Sequence, residues 1–387
     1  MKYKNIFTNK SISLILISIY LFFSPIEFAL NAFLPGGSSL KYLGFIIILL
    51  VLYDHKNTKI NFNSTHKYVI LWVLLMGVSL FWTFNSPYAL LYTRMYTFIA
   101  IYFVVLSLYR VDKKNVEIFL FSALYGATFA ALLLIFSGAT LVGSTSERVT
   151  LSIFGAQMDP NASSVLMAFG VIIAFYFLMY RKKTKLLLIP LIICSLAVIL
   201  TGSRSGLFGT MFSAFVLFAN YLMKNKSSVL KKMSQVIAII TIVTVIVNII
   251  VKVVPVSVIQ RLVDFESYSG GSNRDIIWGS LFPYFKQKPF MGYGIGSSVE
   301  LTRIIFSKYT GAHNTYLQVL LDLGIIGLFT FLMIPGSIVI RSIKYKNIFA
   351  ISLILLVIIP ALFLDSINQR YFWNSLILSS MILMVEK

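Results

Sequence analysis

His313-Asn314-Thr315-Tyr316 runs into Leu317–Leu323 and Gly324-Ile325-Ile326-Gly327, and the apolar run continues to Ile340. That length suits a helix crossing a bilayer, and it opens on a histidine and an asparagine. A helix N-terminus carries unpaired backbone N–H groups and a positive dipole end, which favour anions. An imidazole there can take a proton near neutral pH. Capping and interfacial anchoring account for the same residues, so their meaning depends on what the chain places beside them.

Composition decides the class. Of 387 residues, 58% are hydrophobic and 12% charged, and the mean hydropathy is +0.87. No soluble domain hides that much apolar surface, so the chain is expected to be an all-α, polytopic membrane protein. Bilayer-length or nearly bilayer-length runs are Ser11–Leu30, Leu40–Tyr53, Tyr68–Phe84, Tyr88–Leu108, Ile118–Val142 and Ala162–Tyr180. They continue as Leu186–Leu200, Leu207–Met223, Val236–Val251, Tyr316–Ile340, Ile348–Leu364 and Phe372–Val385. The expectation is about twelve helices in one domain, residues 1–387. Ser11–Leu30 lacks a small-residue cleavage site and is followed by further spans, so it reads as part of the bundle, not as a cleaved leader.

The net charge of +20 suits a nucleic-acid binder at first sight. Most Lys and Arg, however, lie in short loops between apolar runs, where they set topology. No basic face or groove-reading fold is visible, so nucleic acid is not an expected partner. Lys2, Lys4 and Lys10 place the N-terminus in the cytoplasm. If every run crosses, the clusters Lys56/Lys59/Lys67, Arg110/Lys113/Lys114, Arg181–Lys185, Lys224–Lys232 and Arg341/Lys344/Lys346 all fall on that same side. Both termini are then cytoplasmic. The single cysteine, Cys194, rules out an internal disulfide or a multi-thiolate metal site.

The expected outward loops include Gly143–Asn161, Thr201–Gly206, Asp365–Tyr371 and one long segment, 252–312, between the ninth and tenth helices. Within it, Arg274–Phe285 puts Ile276, Ile277, Trp278, Leu281, Phe282 and Phe285 largely along one side, as a helix lying in the membrane surface does. Ser298–Tyr309 is a second candidate.

Polar residues with no topological role gather on these loops. Asp159-Pro160-Asn161 opens one helix, where Asp and Asn are good N-caps. Thr201-Gly202-Ser203-Arg204-Ser205-Gly206 is a tight turn with one charge, and its small residues let a ligand approach the backbone. Arg274 starts the surface helix, and Met291-Gly292-Tyr293-Gly294-Ile295-Gly296-Ser297-Ser298 is glycine-rich. That loop follows no strand of a βαβ unit and lacks a P-loop lysine, so it is not a nucleotide motif. Interfacial anchoring also explains each arginine. Two guanidinium forks beside a helix N-terminus would nonetheless hold a pyrophosphate. His55 and His66 fall on the cytoplasmic side, which leaves His313 as the imidazole able to act outside.

The combination resembles the O-antigen ligase and polymerase superfamily. The resemblance rests on His313-Asn314 followed after nine residues by Gly324-Ile325-Ile326-Gly327, and on the Arg204 turn. It rests also on Arg274 with Trp278 and Pro289-Phe290-Met291-Gly292-Tyr293-Gly294, and on Asp159-Pro160-Asn161. The resemblance implies a glycosyltransferase of the bacterial cytoplasmic membrane with no metal and no cofactor. Its donor would be an undecaprenyl-diphosphate-linked glycan and its acceptor a sugar hydroxyl at the outer face. Carried over by position, Arg204 and Arg274 would hold the diphosphate and His313 would remove the acceptor proton, giving inversion. Asn314, Tyr316, Asp159, Asn161, Ser203, Ser205, Gly294 and Gly296 would shape the site or touch substrate. A chain-length regulator is a possible partner.

Two members of that superfamily fit alike: a surface-polysaccharide polymerase, and a ligase delivering glycan to lipid A-core. The Lys/Ile/Asn-rich wording suggests an AT-rich genome and favours the polymerase. So does Leu207, which follows Arg204 after two residues where ligases often show three. A flippase or other transporter would also have about twelve helices, but it should place charges near the midplane and show related halves. A metal-dependent transferase would need acidic ligands in the first outer loop, and Asn31–Ser39 has none.

Overall fold

The computed structural model describes residues 9–33, 39–54, 62–83, 86–140, 148–181, 184–225, 254–263, 274–307 and 311–385, with a few further positions between 227 and 237. The chain begins with α1 (Asn9–Phe23), a 3-10 turn at Ser24–Ile26 and α2 (Glu27–Phe33). Here the sequence suggested one unbroken helix; Pro25, which has no N–H to give, divides it. There follow α3 (Ser39–Asp54), α4 (Ser64–Ser79), α5 (Ser86–Leu108), α6 (Lys113–Ser137), α7 (Pro160–Tyr180), α8 (Leu188–Leu200) and α9 (Arg204–Lys224). The remainder is α10 (Val256–Val263), α11 (Arg274–Gln287), α12 (Ser297–Phe306), α13 (Thr315–Lys344), α14 (Ile348–Ile358) and α15 (Arg370–Val385).

Among the described residues, 6 segments are long and apolar enough to cross a membrane: Ile12–Leu30, Pro87–Leu108, Lys113–Ser137, Pro160–Tyr180, Arg204–Lys224 and Thr315–Lys344. The other expected runs are helical but shorter, and Val236–Val251 lies, but for Ile237, outside the described residues. The all-α expectation needs one amendment. The loop before α7 carries two short antiparallel ladders, Ala139–Thr140 with Val149–Thr150 and Ser152–Ile153 with Ala156–Gln157. Phe154 and Gly155, both at positive φ, make the tight turn of the second.

Helix α7 is the axis of the bundle, 78% buried over its spanning window against 28% for α9. Across the core, Trp72 packs against Tyr96, Phe331 and Trp373 with ring centroids 5.5, 5.5 and 5.9 Å away. These aromatic pairs lock α4, α5, α13 and α15 together. His66 is consumed locally: its Nδ1 accepts the Asn63 N–H at 2.9 Å and its Nε2 lies 2.9 Å from Ser107 Oγ. His55 lies outside the described residues.

The helix opened by His313 is broken. Gly324 sits at φ 66°, ψ −165° inside α13, a backbone shape open to glycine and strained for other residues. A break exposes carbonyls on one side and N–H groups on the other, and inside a membrane these must find partners. The glycine-rich loop supplies both. Tyr293 and Gly294 donate to the carbonyls of Leu321 and Asp322 at 2.8 and 2.9 Å, while Ile325 and Ile326 donate to those of Pro289 and Phe290 at 2.8 and 3.3 Å. Asp322 Oδ1 then accepts the Ser298 N–H at 2.7 Å at the start of α12. A Cβ on Gly292 would strike the backbone of Leu321 and Asp322, and one on Gly324 would strike Phe290. The two glycine motifs are the halves of one interlock.

The interlock carries a second small core of Ile277, Leu281, Tyr293, Leu301, Ala312, Leu317 and Leu321. It also corrects the one-sided reading of α11. Ile277 and Leu281 face this core, whereas Ile276 and Phe282 are 55% and 47% exposed. The helix lies between protein on one side and, in this reading, lipid on the other.

Gly324→Ala is expected to destabilise the protein by several kcal/mol, since it adds both a clash and left-handed strain. Gly336→Ala, in the same helix with nothing within 4 Å of an added Cβ, should be neutral or stabilising by up to about 1 kcal/mol. Thermal unfolding in detergent decides, and equal midpoints for the two variants would contradict the interlock.

Candidate functional site

The site is assembled at the end of the bundle where α7, α9, α13 and α15 begin. His313 has φ +49° and precedes Asn314, whose side chain caps α13 by accepting the N–H groups of Tyr316 and Leu317, both at 3.0 Å. Trp278 holds this turn from outside, its Nε1–H donating to Ala312 O at 2.9 Å. Arg274 lies one helical turn before Trp278 on α11, on the same side of the helix, and its charge acts on Asp159 and Asp365.

On the inner side, Thr315 N and Oγ1 both donate to Leu364 O at 3.0 and 2.6 Å, and Ser366 N donates to Thr315 Oγ1 at 2.7 Å. Asp365 is thereby held against the turn, its Oδ2 3.5 Å from His313 Nδ1. Burial pushes the Asp365 carboxyl above its ordinary value; the His313 imidazole, the backbone N–H groups of His313 and Asn314, and Arg274 oppose that rise. A carboxylate at Nδ1 orients the ring and favours the tautomer whose Nε2 can accept a proton. His313 is about half exposed, its side chain 43% accessible.

A second group of arginines adjoins this pair. Arg148 donates from Nε to Thr201 O at 3.2 Å and from Nη2 to Asn161 Oδ1 at 2.7 Å. Arg204 Nε donates to Arg261 O at 2.7 Å. Burial first, then the charges of Arg261 and Arg274, push Arg148 down to about 10, against the pull of Asp159. Arg274 is likewise lowered by burial, with Asp159 and Asp365 opposing. The guanidinium groups of Arg148, Arg261 and Arg274 thus act on one another, with Arg204 tied to the Arg261 main chain, and Asp159 and Asp365 are the carboxylates that moderate them. Such a cluster costs free energy when empty and suits a multiply charged anion.

Of the residues singled out in the sequence, His313 pairs with Asp365 and the charge of Arg274 acts on the same carboxyl, while Arg204 bonds to the main chain of Arg261. Asp159 caps α7, accepting from Asn161 N and Ala162 N at 2.9 and 3.0 Å. Others are occupied by structure. Ser203 and Ser205 are buried; Ser203 Oγ accepts from Gly206 N at 3.2 Å and lies 3.3 Å from Ser205 Oγ. Ser203 caps α9 and Ser205 lies in its first turn. Gly294 and Gly296 are packed against Thr83 and the Tyr88–Ala89 backbone, so they shape the interlock. Tyr316 donates its hydroxyl to Ile358 O at 2.7 Å and ties α13 to α14.

Sequence reading missed Arg148, Arg261 and Asp365. Arg148 and Asp365 are charges in short loops at the expected outer end, a signal that was available. Arg261 is not separable from an ordinary interfacial cation until the chain is folded.

The long apolar helices define a multi-pass membrane protein. A family model described as O-antigen ligase (Wzy_C) matches residues 189–332, and over that stretch the resemblance to the O-antigen ligase and polymerase superfamily of membrane glycosyltransferases holds. A comparison with curated proteins gives no match. The matched stretch contains Arg204, Arg274 and His313; Arg148, Asp159, Asn161 and Asp365 lie outside it.

The raised proton affinity of Asp365 fixes a sign. Folded protein binds a proton there more readily than unfolded chain, so stability falls as pH rises from the ordinary carboxylate range through the raised value. Asp365→Asn should therefore unfold at an equal or higher temperature than wild type at pH 7, and its advantage should shrink on acidification. Differential scanning fluorimetry from pH 4.5 to 7.5 measures this; a midpoint at pH 7 clearly below wild type would contradict it. Arg148→Gln should likewise not lower the midpoint of the ligand-free protein.

Proposed function

We propose that this protein is a metal-independent, inverting glycosyltransferase working at the outer face of the bacterial cytoplasmic membrane, most specifically a surface-polysaccharide polymerase. The donor is a glycan linked to undecaprenyl diphosphate, and the acceptor is a sugar hydroxyl of a second lipid-linked chain. The observation that carries the reading is the pairing of His313 with Asp365 at 3.5 Å, with the charge of Arg274 acting on the same carboxyl, near Arg148, Arg261 and the Arg204 bonded to it.

In the proposed step, His313 Nε2 takes the proton of the acceptor hydroxyl, with Asp365 stabilising the imidazolium. The acceptor oxygen attacks the anomeric carbon as the bond from that carbon to the diphosphate oxygen breaks. Undecaprenyl diphosphate leaves with the electron pair, and Arg204, Arg274 and Arg148 receive the developing charge. No nucleotide is consumed, because the leaving diphosphate supplies the driving force. Asn161 holds Arg148 in place, and Asp159 limits the repulsion among the arginines.

The same machinery serves a ligase, a second reading favoured by the description of the family model. The two differ in acceptor alone. Purified protein given lipid-linked repeat units should make a ladder of longer chains. A single transfer that requires added lipid A-core would assign the ligase instead.

His313→Ala should lower transfer by about 10²–10⁴ with membrane insertion intact; wild-type product yield would remove the base from the scheme. Arg204→Ala and Arg274→Ala should each lower the rate by about 10²–10³ and weaken undecaprenyl diphosphate binding, with lysine a poor substitute for the bidentate fork. Unchanged affinity in both would contradict the clamp.

A further inference from the structure

Beside the arginine cluster lies a cavity of about 230 Å³ that the proposed chemistry does not use. Its walls include Glu27, Phe28, Met158, Gln369, Arg370 and Tyr371. None of these belongs to the stretch matched by the family model. We propose that this cavity is the subsite for one uncharged sugar ring of the glycan substrates, and that it sets which sugar is accepted. The proposal rests on the glycosyltransferase reading above.

Charge distinguishes the cavity from its neighbour. Arg370 pairs with Glu27 and donates from Nη1 to Tyr20 OH at 3.0 Å. The pair cancels, so the cavity offers no net positive charge to a phosphate. What it offers is planar, two-pronged hydrogen-bonding groups: a carboxylate, a guanidinium and the amide of Gln369. These match the vicinal hydroxyls of a sugar, which present adjacent donors and acceptors. Phe28 is half-buried and Tyr371 buried, so aromatic carbon is at hand for the apolar face of a ring. A volume of about 230 Å³ leaves room for a sugar ring.

Position links the cavity to the chemistry. Met158 lines it, and the next residue, Asp159, caps the helix whose Asn161 holds Arg148. On the other wall, Gln369–Tyr371 continue the loop that presents Asp365 to His313. Tyr371 OH lies 3.1 Å from Ser366 Oγ, and Ser366 N is bonded to the first residue of α13. A ring seated there would be held by the same two loops that carry the proton acceptor and the diphosphate clamp. The segments flanking the family-matched stretch would then both support the reaction, through Arg148 and Asp365, and choose the sugar.

The test is saturation-transfer NMR on the full chain in lipid nanodiscs, using methyl glycosides of neutral hexoses, N-acetylhexosamines and uronic acids as probes. Undecaprenyl diphosphate binding is measured on the same samples. At least one uncharged glycoside should bind wild type, and Gln369→Ala, Phe28→Ala and Arg370→Gln should each weaken it at least fivefold with undecaprenyl diphosphate binding unchanged. Gln369→Ala and Phe28→Ala keep the proposal testable should loss of the Glu27 partner unfold Arg370→Gln. No glycoside binding to wild type, unchanged binding in Gln369→Ala and Phe28→Ala, or preference for uronic acids overturns it. Loss of undecaprenyl diphosphate binding in Arg204→Ala and Arg274→Ala bears on the clamp alone, so the two ideas fail separately. Displacement of the glycoside by lipid-linked glycan from the producing cells would mark the ring as the donor's, and persistence as the acceptor's; either supports the subsite.

Discussion

A polar backbone group has no partner in hydrocarbon, and that constraint organises this molecule. Helix α13 is interrupted at Gly324, and the interruption leaves carbonyls and N–H groups without partners in the helix. The loop from Pro289 to Ser298 pairs with them on both sides of the break. Each bond contributes on the order of 1 kcal/mol net, but leaving any of them unmade costs more. The outer helices α11 and α12 are therefore not appendages on a bundle. They are attached to it through main chain, which has few ways to shift.

From that attachment the site follows. With α11 seated, Trp278 reaches Ala312 and Arg274 comes within electrostatic reach of Asp365. With α14 and α15 packed on α13, Leu364 and Ser366 bond to Thr315, and Asp365 faces the imidazole. Arg261 and Arg274 then stand near enough to Arg148 to disfavour its charge. Folding assembles repulsion here, which only an anion or a carboxylate relieves. Asp159 and Asp365 relieve part of it, and the remainder favours a bound anion.

Much of the bundle was legible in the chain. Apolar runs long enough to span a bilayer, bounded by alternating clusters of Lys and Arg, need no tertiary knowledge to read. The residues of the candidate site were partly legible as well. His313, Arg204 and Arg274 stand out because charged and titratable groups are scarce in such a composition. Ser203, Ser205, Gly294 and Gly296 were legible as special but not as to purpose. A small or hydroxyl side chain at a turn looks the same whether it opens the backbone to a ligand or caps a helix and fits against a neighbour. The break in Ser11–Leu30 at Pro25 and the two faces of α11 show the same limit, since hydropathy counts apolar residues without saying what they touch.

The amino-acid sequence by itself determined the class of the protein, the helices and their approximate ends, and the presence of one histidine and two arginines in loops with no topological need for them. Those properties are local: they depend on run length, on spacing and on the cost of charge in lipid. Only the tertiary structure decided that Arg148, Arg261 and Asp365 join them, that Arg370 and Glu27 form a separate neutral pocket, and that the two glycine motifs are one joint. Each depends on contacts between residues far apart in the chain. Pairing of that kind is set by which helix faces pack together, and a linear pattern does not record it.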